Sequence, residues 1–465
     1  MVDRLLAVCS GVEGSLDSRL APPPRIRLCT GCMAATAPIY TGPFGKLQAE
    51  RLYWRAGFGP RQGDAEKLSK LGLAGAVKWF TRPTDTGLLG PDPHDEKGRA
   101  LAPADAVGHD HLWWLDRMVR TKAPLAERMT LVWHDWFATS NQGVGQQQLM
   151  LNQNQLFRQN ALGSFATMLL AVTTDPAMLI WLNGNQNIKT RPNENYGREL
   201  MELFTLGAER GAYTETDVRE QARALTGWTG SVTKGVPSAF VLDPTRHDST
   251  NKTIFGQTGN FGWQEACQLC LGHAMHPSFF VSKLWSYFIP TPIDATTLKA
   301  LQRLYSDRQI VPVLEAILQH PDFYNGPRMV KPPIVFNAGL LRMRARWIDT
   351  SVWWSLCQAA GQQLFYPPDV SGWDDTRWLD TATFRSRWFI AALVQGASSP
   401  KTSPADPAKL VERSIQYWGF PTVSAQTQTL LAAFAKAQLA RNQAPATVET
   451  AMRRLVATSP DLQTA

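Results

Sequence analysis

Apolar residues recur at the spacing of amphipathic helices along most of the chain after about residue 46. Proline, glycine and capping residues separate the apolar segments, so individual helices can be delimited. In the first half of the chain this pattern predicts helices over residues 105–121, 124–139, 146–172, 176–182, 192–206 and 215–228.

Two of these predicted helices have well-marked boundaries. Pro192 suits the first position of a helix, where its missing N–H is harmless, and Gly207 suits the position just past the end, where φ is commonly positive. Thr214 and Asp217 match a capping box at the start of the next helix. The chain therefore predicts two successive helices with a short loop between them.

One part of the chain is a good candidate for strands. The segments 240–243 and 252–255 are largely apolar and flank a polar stretch, a pattern that predicts a small hairpin among the helices. The predicted fold is therefore mainly α, a large multi-helical body with at most a small β-hairpin insertion near residues 240–256.

Composition along the chain predicts three parts. Residues 1–45 contain Pro22–Pro24 and several glycines without periodicity, which is typical of a disordered leader. Residues 46–398 form the predicted main helical body. Residues 399–407 are rich in proline and serine and predict a linker, so residues 399–465 are interpreted as a linker and a C-terminal helical cap packed on the main body.

Charge and hydropathy exclude several classes of protein. The chain has 465 residues, 44% of them hydrophobic and 18% charged, which is typical of a globular protein. Its net charge is +8, but Lys and Arg are scattered with no run of five or more, so we expect no nucleic-acid partner. The longest apolar stretch, 165–182, is interrupted by Thr173–Pro176, so we also expect no membrane span.

Tryptophan and cysteine leave alternatives open. Seventeen Trp is a high number; they either fill the core or line a site for a ring-bearing ligand, and the core is the commoner role. Cys29 and Cys32, like Cys267 and Cys270, have a spacing that can supply half of a zinc site, although the second pair falls in a predicted helix where both thiols can simply point inward. No signal peptide is visible in the first forty residues, which leaves the localisation open.

The predicted helix 192–206 has a polar face rich in carboxylates. Asn195, Glu199 and Glu202 share one stripe, with Arg198 beside it. In one interpretation this face is solvated and Arg198 pairs with Glu194 and Glu202 at i,i+4 spacing. In the other, Glu199 and Glu202 face a cavity and act as general acid and base, or bind a divalent cation.

Basic residues and histidines add further candidates. Arg219 and Arg223 form a row on the next helix that can pair with those carboxylates or bind an anionic substrate. His134, within Trp-His-Asp-Trp, is either a ligand or base or a packing residue. His247 and Asp248 fall in a predicted loop, where polar residues often serve function.

A turn-rich segment near the C-terminal part of the main body is also a candidate. Residues 367–373 read Pro-Pro-Asp-Val-Ser-Gly-Trp and end on Trp373, with Trp378 nearby; such a loop either walls a pocket or fixes a surface turn. The chain contains no phosphate-binding glycine loop, nucleophile elbow or H-E-x-x-H zinc motif, which disfavours those enzyme classes.

A series of segments occurs in order along the chain: Trp133-His134, 137–140, 175–178, Pro192-Asn-Glu-Asn195, 198–207, 222–228, His247-Asp248 and 367–373. Together they resemble the bacterial family called domain of unknown function 1800, over about residues 47–462. The chain departs from the family pattern at Trp136, where many members have a second His, and that substitution weakens a His-pair metal site. A milder change is Tyr196-Gly197 in place of the more common Phe-Ala.

The resemblance implies a large, mostly helical protein, often exported, whose gene commonly lies beside that of a sulfatase-like protein, an associational indication of partnership. Our leading hypothesis is an exported or envelope-associated helical enzyme, a hydrolase, with a divalent metal as a conceivable cofactor. The alternative is a non-catalytic binding or assembly protein, with carbohydrate as one ligand class, whose polar helix is a structural network. The predicted catalytic residues are Glu199, Glu202, His134 and His247, and the predicted substrate-binding residues are Asn193, Glu194, Asn195, Arg198, Arg219, Arg223, Asp248 and Trp373.

Overall fold

The computed structural model describes residues 36–233, 235–397 and 399–465. Within them the chain is 55% helical, with 23 helices and two small two-stranded sheets, which confirms the predicted mainly α fold. The first eleven helices are α1 (Lys46–Arg55), α2 (Asp64–Ser69), α3 (Gly72–Thr81), α4 (His109–Arg120), α5 (Pro124–Trp136), α6 (Asn141–Val144), α7 (Gln147–Asn160), α8 (Phe165–Thr173), α9 (Pro176–Trp181), α10 (Asn195–Glu199) and α11 (Glu215–Ala224).

The second half of the described chain is also helical. Short 3-10 turns occur at Gly184–Gln186 and Asp375–Arg377. The remaining helices are α12 (Trp263–Gly272), α13 (His276–Ser286), α14 (Ala295–Leu304), α15 (Ile310–Gln319), α16 (Pro321–Asn325), α17 (Pro333–Met343), α18 (Val352–Ala359), α19 (Thr381–Gln395), α20 (Pro407–Tyr417), α21 (Ala425–Ala440), α22 (Pro445–Thr458) and α23 (Pro460–Gln463).

Two hydrophobic clusters form the interior. The first includes Phe165 of α8 and Phe280 of α13, and the second includes Phe336 of α17 and Trp418 at the end of α20. Helix α5 contributes to both, because apolar residues occur on opposite sides of it. The side chains of α5 are therefore held from two sides. The helices after residue 399 share the second cluster, while the domain boundary placed there stays a prediction.

The polar helix begins later than predicted. It starts at Asn195, not Pro192, because the side-chain oxygen of Asn193 accepts the N–H of Asn195 in a local turn. After Glu199 it continues as a π-helical turn, Leu200–Thr205, in which the Thr205 hydroxyl donates to the carbonyl of Leu200. Gly207 follows with φ +89°, as predicted for a residue past the helix end.

Other predicted boundaries have mixed outcomes. The capping box is confirmed: the Thr214 hydroxyl accepts the N–H of Asp217, and the Asp217 carboxylate accepts the N–H of Thr214. The single predicted helix 146–172 is two helices, α7 and α8, separated by a turn. Around that turn Phe165 donates its N–H to the carbonyl of Arg308, and Ile310 donates to the carbonyl of Gly163, so contacts with a distant segment break the helix.

Two hairpins occur near the predicted one. Strands β1 (Val232–Thr233) and β2 (Val236–Pro237) pair antiparallel, as do β3 (Lys252–Ile254) and β4 (Gln257–Gly259). The segment 252–255 thus pairs with the residues that follow it and not with 240–243. The reason is the turn: Phe255 and Gly256 have φ +50° and +74°, both positive as in a tight type I′ hairpin.

The cysteine alternatives are partly resolved. Cys267 and Cys270 on α12 are buried, where they contact the Thr173 hydroxyl and the Gln221 amide, so both point inward. Cys29 and Cys32 lie outside the described residues, as does most of the predicted leader. In the part of the chain that the structure describes, no helix is long and apolar enough to span a membrane.

Candidate functional site

A cavity of about 300 Å³ opens beside α5. Helix α5 contributes Arg128 and Asp135, which are two turns apart and therefore lie on the same face. The other walls come from α1, from the end of α13, from the segment 328–332 and from the loop 373–378. The lining residues include Trp54, Arg55, Arg128, Asp135, Tyr287, Arg328, Lys331, Trp373, Asp375 and Trp378.

Asp135 connects the walls of this cavity. Its Oδ2 accepts the hydroxyl of Tyr287 at 2.7 Å, and its Oδ1 accepts the backbone N–H of Trp373 at 2.9 Å. Burial raises the pKa of the carboxyl, and the hydrogen bond from Tyr287 opposes that rise. Gly372 has φ +98°, and a Cβ there would lie 2.3 Å from Oδ1 of Asp135. Only glycine allows this close approach, which fixes the position of Trp373.

Three tryptophans line the cavity. Trp54 is 6% exposed, and the ammonium of Lys331 lies 3.7 Å from the centroid of its ring. The indole N–H groups of Trp373 and Trp378 are buried and have no acceptor among the described residues. A buried indole N–H usually has a partner, and those of Trp181, Trp228 and Trp354 also lack one among the described residues, so this feature is not confined to the cavity.

Cationic side chains outnumber acidic ones around the cavity. Arg55 donates to the carbonyls of Phe288 and Phe323 at 3.2 and 3.1 Å. Two others are also engaged: Lys331 donates to the carbonyl of Leu462 at 2.7 Å, and Arg328 pairs with Asp461 at 3.0 Å. Arg128 is different. It is 6% exposed and forms no hydrogen bond or ion pair with any described residue.

The predicted residue His134 lies behind this cavity and does not line it. Its ring is enclosed by those of Trp114, Trp373 and Phe365, with centroids 5.3, 5.4 and 5.7 Å away. Burial lowers the pKa of His134 to about 3, so the imidazole is neutral at physiological pH. His134 therefore supports Trp373 from behind, and its Nε2 has no partner among the described residues.

The polar helix carries a charge network of its own. Arg198 pairs with Glu194 at 3.0 Å and with Glu202 at 3.5 Å, the two i,i+4 pairs considered from the sequence, and it also binds Glu215 of α11 at 2.8 Å. Burial, together with the charge of Glu202, raises the pKa of Glu199. Asn195 is exposed at the start of the helix.

The last turn of this polar helix packs against α5. Trp136 donates its indole N–H to the carbonyl of Phe204 at 3.2 Å. The ammonium of Lys283 donates to the carbonyl of Leu203 at 2.9 Å and lies 4.5 Å from the Trp136 ring centroid. The Trp136 indole and the Lys283 ammonium thus bind carbonyls at the π-helical turn. These contacts hold the polar helix against α5 and α13.

Three of the remaining predicted residues, Arg223, Asp248 and His247, form another cluster. Arg223 binds Asp248 and Glu220, each at 2.8 Å. Burial alone would raise the pKa of Asp248, but hydrogen bonds from Arg223 and Thr250 hold it well below its usual range. His247 donates from Nδ1 to the carbonyl of Thr226 at 2.9 Å, and Arg219 is exposed and contacts the Thr216 hydroxyl at 3.1 Å.

The predicted site residues therefore fall into separate groups. Arg198 and its carboxylates form one, Arg223 with Asp248 and His247 a second, and only Trp373 lines the cavity. Asn193 does not belong to these charge clusters: its backbone N–H donates to the side chain of Asn187, whose amide in turn donates to the Ala222 carbonyl on α11. The described residues contain no group of three or more His, Cys, Asp or Glu side chains arranged to hold a metal ion.

Sequence reasoning missed most of the cavity. Asp135 lies inside the Trp-His-Asp-Trp segment, in which only His134 was predicted to be a functional residue. One available signal was that Arg128 and Asp135 share a face of a helix that is otherwise largely buried. Tyr287 carried no signal, because it contacts Asp135 across 152 residues of chain.

Comparison with known proteins agrees with the resemblance found in the sequence. The model of the family described as "Protein of unknown function (DUF1800)" matches residues 51–464. Searches of curated proteins and of solved structures each find no match. Because the family model covers nearly the whole chain, including the segments that form the cavity and the polar helix, this protein belongs to the DUF1800 family.

Proposed function

We propose that this protein is a binding protein that takes a saccharide ring into the cavity beside α5. The observation that carries the proposal is the convergence of Trp54, Trp373 and Trp378 on one cavity of about 300 Å³. This volume is at the small end of the range for ligand sites, roughly 300 to 1,000 Å³. Trp is suited to such ligands, because an indole offers an apolar face to the C–H face of a sugar and a polar N–H to its hydroxyls.

The arrangement behind the tryptophans supports a preformed site. The Asp135 carboxylate holds the backbone of Trp373, and His134 packs against its ring. A wall that is already in place loses little conformational freedom when a ligand binds, which favours affinity. In this proposal the charges around Arg198 hold α10 and α11 together and have no catalytic role.

The Trp373→Ala variant is expected to weaken saccharide binding at least about tenfold, because truncating a buried aromatic anchor commonly removes more than 1 kcal/mol. Calorimetric titration with a panel of mono- and disaccharides measures this. Trp79→Ala is the matched control, since Trp79 is 40% exposed and does not line the cavity. The proposal fails if no saccharide binds the parent protein, or if the Trp373→Ala variant binds as the parent does.

A hydrolase acting through Glu199 is a second candidate. It is supported by the raised pKa of Glu199, which burial and the charge of Glu202 cause, and by the lack of any ion pair to Glu199 among the described residues. A carboxyl with a raised pKa is suited to donate a proton, and the neighbouring Glu202 is held by Arg198. His134 and His247 have supporting roles in this candidate, and export and a sulfatase-like partner belong with it.

The Glu199→Gln variant separates the two candidates. If Glu199 is a general acid, hydrolysis of chromogenic esters or glycosides should fall at least about 100-fold, the usual contribution of such a group. Glu412→Gln, at an exposed position on α20, should leave the rate unchanged. If the parent protein hydrolyses none of these substrates, or if the Glu199→Gln variant keeps the full rate, the hydrolase candidate is wrong.

A further inference from the structure

We infer that the ligand of this cavity carries an oxyanion group, a carboxylate, sulfate or phosphate, which binds the guanidinium of Arg128. This inference rests on the proposed function, because it names the class of ligand for the same cavity. The observations that carry it are the burial of Arg128, its place in the cavity lining and the absence of a protein partner for it among the described residues.

Arg128 is a buried cation without a partner in the described part of the chain. Its side chain is 6% exposed and lines the cavity, and its Nε is fully buried with no acceptor among the described residues. Taking a charge out of water without a compensating partner is costly, so buried charges in proteins are nearly always paired. Burial lowers the pKa of Arg128 to about 10, which leaves it protonated at physiological pH.

The carboxylate of Asp135 does not serve as that partner. Asp135 is on the same face of α5, and its negative charge does favour the charged form of Arg128. Both of its oxygens, however, are engaged by Tyr287 and by the backbone of Trp373, and it forms no ion pair with Arg128. The helix thus places an acid nearby but leaves the guanidinium free.

The other cations of the cavity have protein acceptors. Arg55 and Lys331 bind backbone carbonyls, and Arg328 binds Asp461. In total four cationic side chains line the cavity against two acidic side chains, Asp135 and Asp375. The net charge of these side chains is therefore positive. Among the described lining residues, Arg128 is the cation without a protein acceptor.

Two indole rings lie in the same cavity lining as Arg128. The N–H groups of these residues, Trp373 and Trp378, are buried without acceptors among the described residues. Those N–H groups are enclosed by protein and do not face the cavity, so the group that a ligand must satisfy is the Arg128 guanidinium, which requires acceptor oxygens and a negative charge. An oxyanion on a sugar ring supplies both, since its oxygens match the fork of a guanidinium while the ring packs on the indoles.

The test compares neutral and anionic forms of one sugar. Calorimetric titrations of the parent protein use D-glucose, D-glucuronate, glucose 6-sulfate and glucose 6-phosphate, with inorganic sulfate and phosphate as further arms. At least one anionic sugar is expected to bind tenfold or more tighter than glucose. The arm with the highest affinity identifies the anion as carboxylate, sulfate or phosphate.

Substitution of Arg128 tests whether the preference for the anionic sugar depends on this side chain. In Arg128→Met the preference for the anionic sugar over glucose should be lost, with a fall in the affinity for the anionic sugar of 10- to 100-fold. Arg128→Lys should retain part of the preference, because the charge remains but the fork is lost. Arg385→Met, at an exposed position on α19, is the matched control and should change nothing.

Thermal unfolding gives a second measurement. The Arg128→Met variant should fold at least as stably as the parent, because it no longer buries an unpaired charge. The best anionic sugar should raise the melting temperature of the parent protein and not that of Arg128→Met.

The outcomes separate this inference from the proposed function. If glucose and the anionic sugars bind equally, or if Arg128→Met keeps the preference, the oxyanion inference is overturned and the saccharide site stands. If only inorganic sulfate or phosphate binds, and does so through Arg128, the saccharide proposal is overturned and the oxyanion subsite stands. If nothing binds, both are overturned.

Discussion

The Glu127→Gln variant is expected to lose about 3 to 5 kcal/mol of the free energy of unfolding at pH 7, because it breaks a buried charge network from one side. Glu127 is on α5 and is 3% exposed. Arg158 binds it through two hydrogen bonds of 2.9 and 2.6 Å, and the indole of Trp114 donates to it at 2.7 Å. Glutamine keeps the shape of the side chain but leaves the charge of Arg158 uncompensated.

The same variant has an expected pH dependence. Burial alone would raise the pKa of Glu127, but the charge and hydrogen bonds of Arg158, with the charge of Arg117, outweigh it and hold the pKa below its usual value. A lowered pKa contributes stability that is present above the unfolded-state pKa of about 4.3 and is lost as the pH falls through the folded-state pKa. The difference in free energy of unfolding between the parent and the Glu127→Gln variant should therefore become smaller at acid pH.

Urea unfolding at pH 7 and at acid pH measures both effects. Glu66→Gln is the matched control, because the Glu66 side chain is 48% exposed in its pair with Lys46, and such surface pairs contribute only about 0.2 to 1 kcal/mol. If Glu127→Gln lowers the free energy of unfolding at pH 7 no more than Glu66→Gln does, the buried charge network around Glu127 does not stabilise α5.

The Asp175→Asn variant is expected to gain stability relative to the parent protein as the pH rises, by up to about 4 kcal/mol between acid and pH 8. Asp175 caps α9, accepting the N–H of Met178 at 3.0 Å and the amide of Gln153 at 2.8 Å. Burial raises the pKa of its carboxyl to about 7 in spite of these hydrogen bonds. An asparagine side chain can still accept both through its oxygen.

The direction of this stability change follows from the pH at which Asp175 ionises in the folded and in the unfolded chain. In the unfolded chain Asp175 loses its proton near pH 3.9, whereas in the folded protein it keeps the proton until about pH 7. Between these values the folded state binds more protons, so the stability of the parent protein falls as the pH rises. The asparagine variant does not titrate there, and its stability relative to the parent should rise across that window.

Urea unfolding from pH 4.5 to pH 8 tests this expectation. Asp294→Asn is the control at another helix N-terminus, where hydrogen bonds from Thr297 hold the pKa of the aspartate below its usual value of 3.8. Most of its titration therefore lies below this pH series, so the difference in free energy of unfolding between Asp294→Asn and the parent should change little over the series. A constant difference for Asp175→Asn as well would contradict the assignment of a raised pKa to Asp175.

Local features explain which parts of the fold were predictable. The capping box at Thr214 and the glycine after the polar helix depend on residues three or four apart, and both were predicted correctly. The start of the polar helix was wrong, because the side chain of Asn193 forms a competing local turn. The break between α7 and α8 was missed, because it depends on contacts with residues 308–310 far along the chain.

The candidate cavity was less predictable than the fold. Trp373 was named as a substrate-binding residue, but its neighbours Asp135 and Tyr287 were not. The Asp135 carboxylate reaches the Trp373 backbone across 238 residues of chain, and no spacing rule relates such positions. The partnering of Arg198 with Glu194 and Glu202, in contrast, was available from i,i+4 spacing alone.

By itself the sequence determined the mainly helical class, many of the helix boundaries and the family of this protein, because periodicity, capping and ordered motifs are written in neighbouring residues. Only the tertiary structure decided that Asp135 meets Trp373, that His134 is enclosed and neutral, and that Arg128 is buried beside a cavity without a partner among the described residues. Burial and the pairing of charges depend on which distant segments pack together. Packing of that kind follows from the whole chain and cannot be read from any single motif.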